Sequence, residues 1–268
     1  MDRTLPPAGA RVVALGCGTS YYMAQAYTAA RQLAGRGETD AVVASERAGV
    51  RSYDFAVAIS RSGTTTEVLR ALETLPSGAR IVSITAVPKS PIVNAAAESI
   101  VLEFADERSV VQTRFATSVL ALLRAHLGHD VGAIALDAER ALSATLPLDP
   151  GDFGRFVFLG HGWAAALANE AALKLREAAG AWTESYPAME YRHGPISVAG
   201  PGSAVWTFGK VDPGLLDDIR ETGATLVEGR FDAMAELVLA QRVAVALAES
   251  RGLDPDRPRH LARSVVLP

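Results

Sequence analysis

The sequence has a single cysteine and lacks any long apolar run. Cys17 is the only cysteine among 268 residues, so an intrachain disulfide is impossible and a reducing compartment is indicated. No apolar run reaches the roughly 20 residues of a membrane span, and the N-terminal residues lack the apolar core of a signal peptide. We therefore expect a cytoplasmic protein without a membrane partner.

Concentrated positive charge is also missing. The formal net charge is −4 and no block of five basic residues occurs, which argues against a nucleic-acid partner. His, Cys and carboxylate residues nowhere follow metal-ligand spacing, so we expect no metal ion and no other cofactor. Tyr21 stands where a dinucleotide-binding turn beginning at Gly16 would have its third glycine, which argues against a nicotinamide-dependent oxidoreductase.

Apolar residues make up 49% of the chain, enough for a sizeable core. Short apolar runs alternate with segments whose apolar residues recur every three or four positions, which predicts an α/β fold with a parallel sheet and helices on both faces. In the first half, strands are predicted at 11–15, 42–43, 55–59, 80–84 and 99–102, the last as an edge strand. A long helix is predicted from Ser109.

The strand-and-turn pattern near the N-terminus returns in the second half. Val12–Gly18 and Phe156–Gly162 each combine an apolar run with a Gly-x-Gly turn before an alanine-rich segment. Leu146–Gly151 has the composition of a linker between them. We expect two related α/β domains, residues 1–146 and residues 147–268, the second of them shortened.

A hydroxyl-rich segment, Ser60–Glu67, stands between the predicted strand at 55–59 and a predicted helix. The first amides of a helix lack internal partners and carry the positive end of its dipole, so such a place binds anions, most often phosphate. An ordinary N-cap needs only one hydroxyl, whereas this segment supplies five with Gly63 and Arg61. The pattern therefore favours a phosphate site over a simple cap.

Other polar residues follow the predicted strands less distinctively. Cys17 either lines a pocket at the first turn or packs beneath the helix start, and packing is the more common role for a small residue there. His161 in the second Gly-x-Gly turn and Glu46 after the second strand could face a ligand. The basic C-terminal segment around Arg263 is either a solvated tail or a cover over the phosphate site.

The second half contains a possible acid–base set. Lys174 and Glu177 are three residues apart and would share a helix face. Glu184–Pro187 is predicted to be irregular, and His193 follows in a Gly-Pro turn, where a polar histidine is often functional. A carboxylate and an imidazole can both transfer protons near neutral pH. The alternative for Lys174 and Glu177 is a surface ion pair of little energetic value.

Four segments together resemble the SIS (sugar isomerase) family: Gly16–Ser20 (GCGTS), Ser60–Thr65 (SRSGTT), Ala172–Glu177 (ALKLRE) and Glu190–Pro195 (EYRHGP). They look most like the double-SIS isomerase part of glucosamine-6-phosphate synthase and the related deaminases. The resemblance implies two tandem SIS-type αβα sandwiches, flavodoxin- or Rossmann-like, with the second shortened. It also implies a sugar phosphate as ligand and a homodimer with shared active sites.

The resemblance assigns roles to individual residues. Glu177 would move a proton between C1 and C2, Lys174 would lie beside it, and His193 would open the sugar ring, coming from the neighbouring subunit. The implied sugar-phosphate-binding residues are Cys17, Gly18, Thr19, Ser20, Ser60, Arg61, Ser62, Thr65, Val110 and Arg263. The implied activity is interconversion of a hexose or amino-hexose 6-phosphate with a ketose of the fructose 6-phosphate type.

Three departures from the synthase pattern refine this expectation. No glutaminase region precedes the matching segments, so we expect no ammonia production from glutamine. Arg263 replaces a lysine that forms an imine in the synthase, and arginine is a poor imine former because it stays protonated. Arg61 replaces a glutamine and resembles the deaminase branch. A non-catalytic regulatory protein that binds sugar phosphate remains the alternative to an enzyme.

Overall fold

The computed structural model describes residues 4–46 and 51–268. The described residues form two compact units. Unit 1 lies within Met1–Arg108, Gln112–His129 and Ala262–Pro268, and unit 2 comprises Ser109–Val111 and Asp130–Leu261. Apart from Ser109–Val111, the chain therefore stays in unit 1 up to His129, then forms unit 2, and returns to unit 1 with its last seven residues. No helix among the described residues is long and apolar enough to cross a membrane.

Unit 1 alternates strands and helices along the chain, as the sequence predicts. Its elements are β1 Val12–Gly16, α1 Thr19–Leu33, β2 Thr39–Val43, β3 Phe55–Ile59, α2 Thr66–Glu73, β4 Arg80–Thr85, α3 Pro91–Ala95, β5 Glu98–Val101 and α4 Arg114–His126. The strands form a sheet in the order β2-β1-β3-β4-β5 with every pair parallel. The predicted parallel sheet and the edge position of β5 are confirmed.

The start of α4 differs from the prediction of a helix from Ser109. The Glu107 carboxylate accepts hydrogen bonds from the amides of Thr113, Arg114 and Phe115. These are amides that the first turn of a helix leaves without partners. The helix therefore begins at Arg114, and the apolar residues before it belong to a loop.

Unit 2 repeats the alternation around a smaller sheet. Its elements are α5 Val131–Ser143, β6 Arg155–Gly160, α6 Ala164–Ala179, β7 Thr183–Pro187, β8 Ser203–Phe208, α7 Pro213–Glu221, β9 Thr225–Val227 and α8 Ala233–Ser250. The strand order is β7-β6-β8-β9, again with all pairs parallel. The prediction of irregular structure at Glu184–Pro187 is wrong, since these residues belong to edge strand β7.

Apolar strands buried on both faces explain why each sheet forms. The side chains of β1 are all nearly inaccessible, as are those of β6 apart from Arg155. In unit 2, Phe158, Trp206 and Phe208 have ring centroids about 6 Å apart and are at most 2% exposed. Full burial of each large side chain contributes on the order of 2 kcal/mol. Both sheets therefore have a mainly apolar interior, with a few buried hydroxyls such as those of Ser83 and Thr207.

Candidate active site

Two polar turns lie at the carboxyl edge of the unit 1 sheet. β1 ends at Gly16 and β3 ends at Ile59, and the two strands are neighbours with Leu15 opposite Ala58. The chain continues from β1 to β2 on one side and later adds β3 on the other, so the strand order reverses between β1 and β3. Open parallel sheets bind ligands in the crevice at such a reversal. The turns after β1 and β3 therefore flank the expected ligand position.

The turn after β3 forms a cluster that we call the hydroxyl nest, made of Ser60, Ser62, Thr64 and Thr65. Thr64 Oγ1 donates to Ser62 Oγ over 3.0 Å, and Ser60 Oγ lies 3.4 Å from Thr65 Oγ1. The amides of Gly63 and Thr64 donate to the Ser60 and Ser62 hydroxyls, each over 3.2 Å. Thr65 is the N-cap of α2, yet its side chain makes no capping hydrogen bond. The nest therefore does more than cap a helix, and its chemistry suits an oxyanion.

The backbone of the nest is fixed by its neighbours. The carbonyl of Arg61 accepts from Thr85 Oγ1 and from the Ala86 amide, and the carbonyl of Gly63 accepts from the Ile92 amide. Gly63 has a φ of +66°, and a Cβ there would lie 2.2 Å from Ser90 Oγ. Only glycine fits both the backbone angle and the close approach. The hydroxyls are thus held in place before any ligand arrives.

The C-terminal segment, Ala262–Pro268, lies against the nest. Ser264 Oγ is 3.1 Å from Ser62 Oγ, 2.9 Å from Thr64 Oγ1 and 3.4 Å from Thr65 Oγ1. The first amide of α2, at Thr66, donates to the carbonyl of Val265 over 3.1 Å. Of the two alternatives for the tail, the structure supports the cover over the nest. The Ser264 hydroxyl and the Val265 carbonyl occupy hydrogen-bonding positions that a bound oxyanion would use.

The two arginines implied to bind substrate are placed differently. Arg61 is 2% exposed, and its guanidinium donates to the main-chain carbonyl of Arg263 over 3.3 Å. The guanidinium of Arg263 is bound by the Asp106 carboxylate and by the carbonyl of Glu107. Arg263 therefore meets the nest region through its main chain, while its charge is paired with Asp106.

The turn after β1 supplies small and polar groups at the start of α1. Thr19 and Ser20 are the first two residues of α1 and are 3% and 4% exposed. Gly18 is the N-cap residue of this helix and has a φ of +53°. Gly16 is required because a Cβ there would lie 2.7 Å from the backbone of Ser20. The helix starts two residues earlier than the predicted Tyr21, so Thr19 and Ser20 belong to its first turn.

Cys17 in this turn is a neutral thiol. Burial, and then the negative charge of Glu67, raise its pKa to about 11. The side chain is half-buried and packs against the apolar cluster that includes Leu15 and Ile92. A thiol with a raised pKa is a poor nucleophile, and these contacts favour the packing role for Cys17.

In unit 2 the structure brings together three charged side chains along α6. Lys174 is 1% exposed, and its Nζ lies 3.2 Å from Glu170 Oε1 and 2.6 Å from Glu177 Oε2. Burial by itself would lower the pKa of the Lys174 ammonium, but the adjacent Glu170 and Glu177 carboxylates outweigh it and hold the pKa above its ordinary value. The alternative of a surface ion pair is therefore wrong for Lys174.

Glu177 differs from Glu170 in its access to solvent. The Glu177 side chain is 19% exposed, whereas that of Glu170 is fully buried. Glu177 uses Oε2 for Lys174, and its Oε1 has no hydrogen-bond partner among the described residues. Glu177 also lines an open pocket of unit 2. A partly exposed carboxylate beside a fixed ammonium has a geometry that suits proton transfer.

Glu170 is the charged residue that the sequence analysis missed. It lies four residues before Lys174, on the same helix face. That spacing is present in the sequence, but Glu170 lies outside Ala172–Glu177, the segment that resembles the SIS family. Its full burial could not be anticipated because the helix is rich in alanine on every side.

The remaining candidates lie at separate positions. His193 is exposed, at the end of a 3₁₀ helix after β7, and does not line the pocket that Glu177 lines. Val110 belongs to unit 2, where its amide donates to the carbonyl of Asp256. His161 and Glu46 are exposed at strand ends.

The fold and these two clusters define a class, an α/β protein with a hydroxyl-rich turn after β3 in unit 1 and a buried lysine–carboxylate group on α6 in unit 2. Residues 5–126 match the family model described as SIS domain. The match covers the whole hydroxyl nest and the turn after β1.

Related sequences extend over most of the chain. The chain is 29% identical over 295 residues to the glutamine–fructose-6-phosphate aminotransferase (isomerizing) of Sulfurisphaera tokodaii. The alignment covers 96% of this chain and 50% of that protein. The enzyme of the same description from Thermotoga maritima is 26% identical over 314 residues, covering 96% of this chain and 52% of its own length. The chain thus spans about half the length of the curated relatives that it matches.

Solved structures show the same fold over nearly the whole chain. Glucosamine-6-phosphate deaminase from Thermotoga maritima superimposes with a TM-score of 0.85 and 27% identity, covering 96% of this chain and 91% of that one. Tagatose-6-phosphate ketose/aldose isomerase from Escherichia coli gives a TM-score of 0.77 with 17% identity, covering 96% and 86%. At 17% identity the second likeness concerns the fold alone.

Proposed function

We propose that the chain is a phosphosugar enzyme of the isomerase or amino-sugar-phosphate deaminase kind. The observation that carries the proposal is the pairing of Lys174 with Glu177, which leaves one carboxylate oxygen accessible. The hydroxyl nest supplies a binding site for the phosphate group, since a sugar 6-phosphate can be anchored by its dianion. The relatives named for fructose 6-phosphate and glucosamine 6-phosphate support the same ligand class.

In the proposed reaction, Glu177 removes a proton from one of the first two carbons of the open-chain sugar and returns it to the other. Lys174 holds the Glu177 carboxylate in position, and the carboxylates of Glu170 and Glu177 keep Lys174 charged within the buried helix face. The phosphate anchor contributes binding energy remote from the reacting carbons, and that energy orients them against the base. The proposed phosphosugar-binding residues of unit 1 are Gly18, Thr19, Ser20, Ser60, Arg61, Ser62, Thr65 and the main chain of Arg263.

Ring opening is assigned to His193. Because His193 is exposed and lies outside the pocket of Glu177, we propose that it acts in a homodimer, on the sugar bound by the neighbouring subunit. The same proposal treats residues 1–146 and 147–268 as tandem SIS-type domains with the second shortened. It also treats the protein as cytoplasmic.

The test is a turnover assay with a panel of hexose and hexosamine 6-phosphates, in which ketose and ammonia are followed separately. Ketose without ammonia identifies an isomerase, and ketose with equimolar ammonia identifies a deaminase. Absence of both with every sugar in the panel, despite measurable binding, contradicts the enzymatic proposal.

One observation favours a second candidate, a regulatory protein that binds sugar phosphate without turnover. The C-terminal segment already engages the nest through Ser264 and Val265, so a ligand that displaced it would change the exposed surface of the protein. A binding protein of this kind would hold sugar phosphate equally well after Glu177→Gln and would show no turnover in the wild type.

A further inference from the structure

A small cavity lies within unit 2, beside the segment that connects β7 to β8. Its walls come from the first residues of β6 and β8, from β7 and from the connecting segment itself. The cavity has a volume of about 10 Å³. Such a space suits a single water molecule and excludes a metabolite, because small-molecule sites are far larger.

Two buried hydroxyl groups line this cavity. Tyr191 is 0% exposed and Ser203 is 1% exposed. Neither Tyr191 Oη nor Ser203 Oγ has a hydrogen-bond partner among the described residues. Burying a hydroxyl without a hydrogen bond is destabilising, so nearly all buried hydroxyls in folded proteins are paired with the protein or with water. Two such groups at one cavity of this size therefore point to a shared partner.

Glu184 on β7 adds an acceptor to the same walls. Its carboxylate accepts from the Tyr186 hydroxyl, and a carboxylate has further lone pairs for other donors. Burial, and then the negative charge of Glu184, raise the pKa of Tyr191 to about 12, so the Tyr191 hydroxyl keeps its proton at neutral pH. A buried water needs roughly two to four polar partners, and two hydroxyls with one carboxylate supply them.

The other polar side chains of the lining do not serve the two hydroxyls. Arg155 is exposed and donates to the carbonyl of Val198 over 2.8 Å, and Trp182 is 75% exposed. Neither makes a hydrogen bond to Tyr191 or Ser203. The partner of the hydroxyls must therefore fit inside the cavity.

We propose that this cavity binds one water molecule, which hydrogen-bonds to Tyr191, Ser203 and Glu184 and anchors the segment between β7 and β8. Tyr191 belongs to the 3₁₀ helix Ala188–His193, and Ser203 is the first residue of β8. The water ties these two elements together and so restrains the helix that ends at His193. This inference holds whether or not the chain turns over a sugar phosphate.

The test is chemical denaturation of the wild type, Tyr191→Phe, Ser203→Ala and the double variant. Each single substitution deprives the water and its remaining partners of a hydrogen bond, so each should raise the equilibrium constant for unfolding about fivefold or more. The double variant should raise it by less than the product of the two single effects, because both hydroxyls serve the same water.

The control is Tyr21→Phe, which removes a half-buried hydroxyl that accepts a hydrogen bond from Gln25 of its own helix. It should change the constant less than about threefold. If the hydroxyls of Tyr191 and Ser203 had no water, Tyr191→Phe would remove a buried unpaired group and leave the protein equally or more stable. That result, or single effects that simply multiply in the double variant, overturns the proposal.

A second measurement is a high-resolution crystal structure of the wild-type protein. It should show one ordered water within about 3 Å of both Tyr191 Oη and Ser203 Oγ. Density that lacks this water, or that shows either hydroxyl bonded directly to another protein group, also overturns the proposal.

Discussion

Lys174 is an almost fully buried charged residue on α6. Its ammonium is 1% exposed and contacts two carboxylates, which is a costly arrangement unless each charge is matched. Glu170 has no access to solvent, so we assign it the role of compensating the positive charge of Lys174. Glu177 is partly exposed, and one of its carboxylate oxygens takes no part in the ion pair. The sequence spacing predicted that Lys174 and Glu177 share a helix face. It could not predict their burial, which depends on packing against residues distant in the sequence.

Replacing Lys174 by methionine should strongly destabilise the protein. It removes the ammonium that lies 3.2 Å from the buried Glu170 carboxylate, and breaking a buried pair in this way costs about 3–5 kcal/mol. Chemical denaturation of the wild type and Lys174→Met measures the difference. The matched variant Glu170→Leu/Lys174→Met removes the stranded charge and should recover a large part of the loss. Equal stability of the wild type and Lys174→Met would contradict a buried ion pair.

The same lysine predicts a pH dependence of stability. Its pKa is higher in the folded protein than the unfolded value of 10.5, so its contribution is complete below that value and is lost as the pH rises through the folded pKa. The stability difference between the wild type and Lys174→Met should therefore shrink at strongly alkaline pH. A difference that grew with alkaline pH would have the wrong sign.

At the scale of secondary structure, the sequence predicted the elements that local patterns determine. The apolar run Phe55–Ile59, followed by Gly63, identified both a strand and the turn that carries the nest. Residues separated by about 200 positions make the contacts between Ser264 and the nest, and no local pattern encodes that docking. The sequence does not indicate edge strand β7, because its half-buried residues are mainly polar. The predicted start of α4 at Ser109 lies five residues before the observed start at Arg114, because the capping residue Glu107 lies outside the helix.

The element that carries the phosphate proposal is the junction of β3 and α2. Changing Ser60 and Ser62 to alanine removes two hydroxyls from a site whose backbone is fixed, and each lost hydrogen bond to a charged ligand costs about 1.5–3 kcal/mol. We expect KM for the sugar phosphate to rise about 100-fold or more with a much smaller fall in kcat. Steady-state kinetics across the sugar panel measures both constants.

The control for this experiment is Ser143→Ala/Ser250→Ala, which removes two exposed hydroxyls that bond only to carbonyls of their own helices. Its kinetic constants should match those of the wild type. If KM for Ser60→Ala/Ser62→Ala also stays at the wild-type value, the nest does not bind the phosphate.

At the scale of the whole molecule, the residues proposed for phosphate binding and those proposed for proton transfer belong to different units. Unit 1 carries the SIS domain match and the hydroxyl nest, and unit 2 carries the buried lysine and its two carboxylates. The parallel α/β class followed from the alternation of apolar patterns in the sequence. The return of the last seven residues to unit 1 did not, because it depends on packing between segments at opposite ends of the chain.

The most direct measurement of the central claim is solvent hydrogen exchange at C2 of a hexose 6-phosphate, followed by NMR in heavy water. The account predicts exchange with the wild type and with Glu249→Gln, an exposed carboxylate on α8. It predicts no exchange above background with Glu177→Gln, although this variant still binds the sugar phosphate. Undiminished exchange with Glu177→Gln would contradict the assignment of Glu177 as the base.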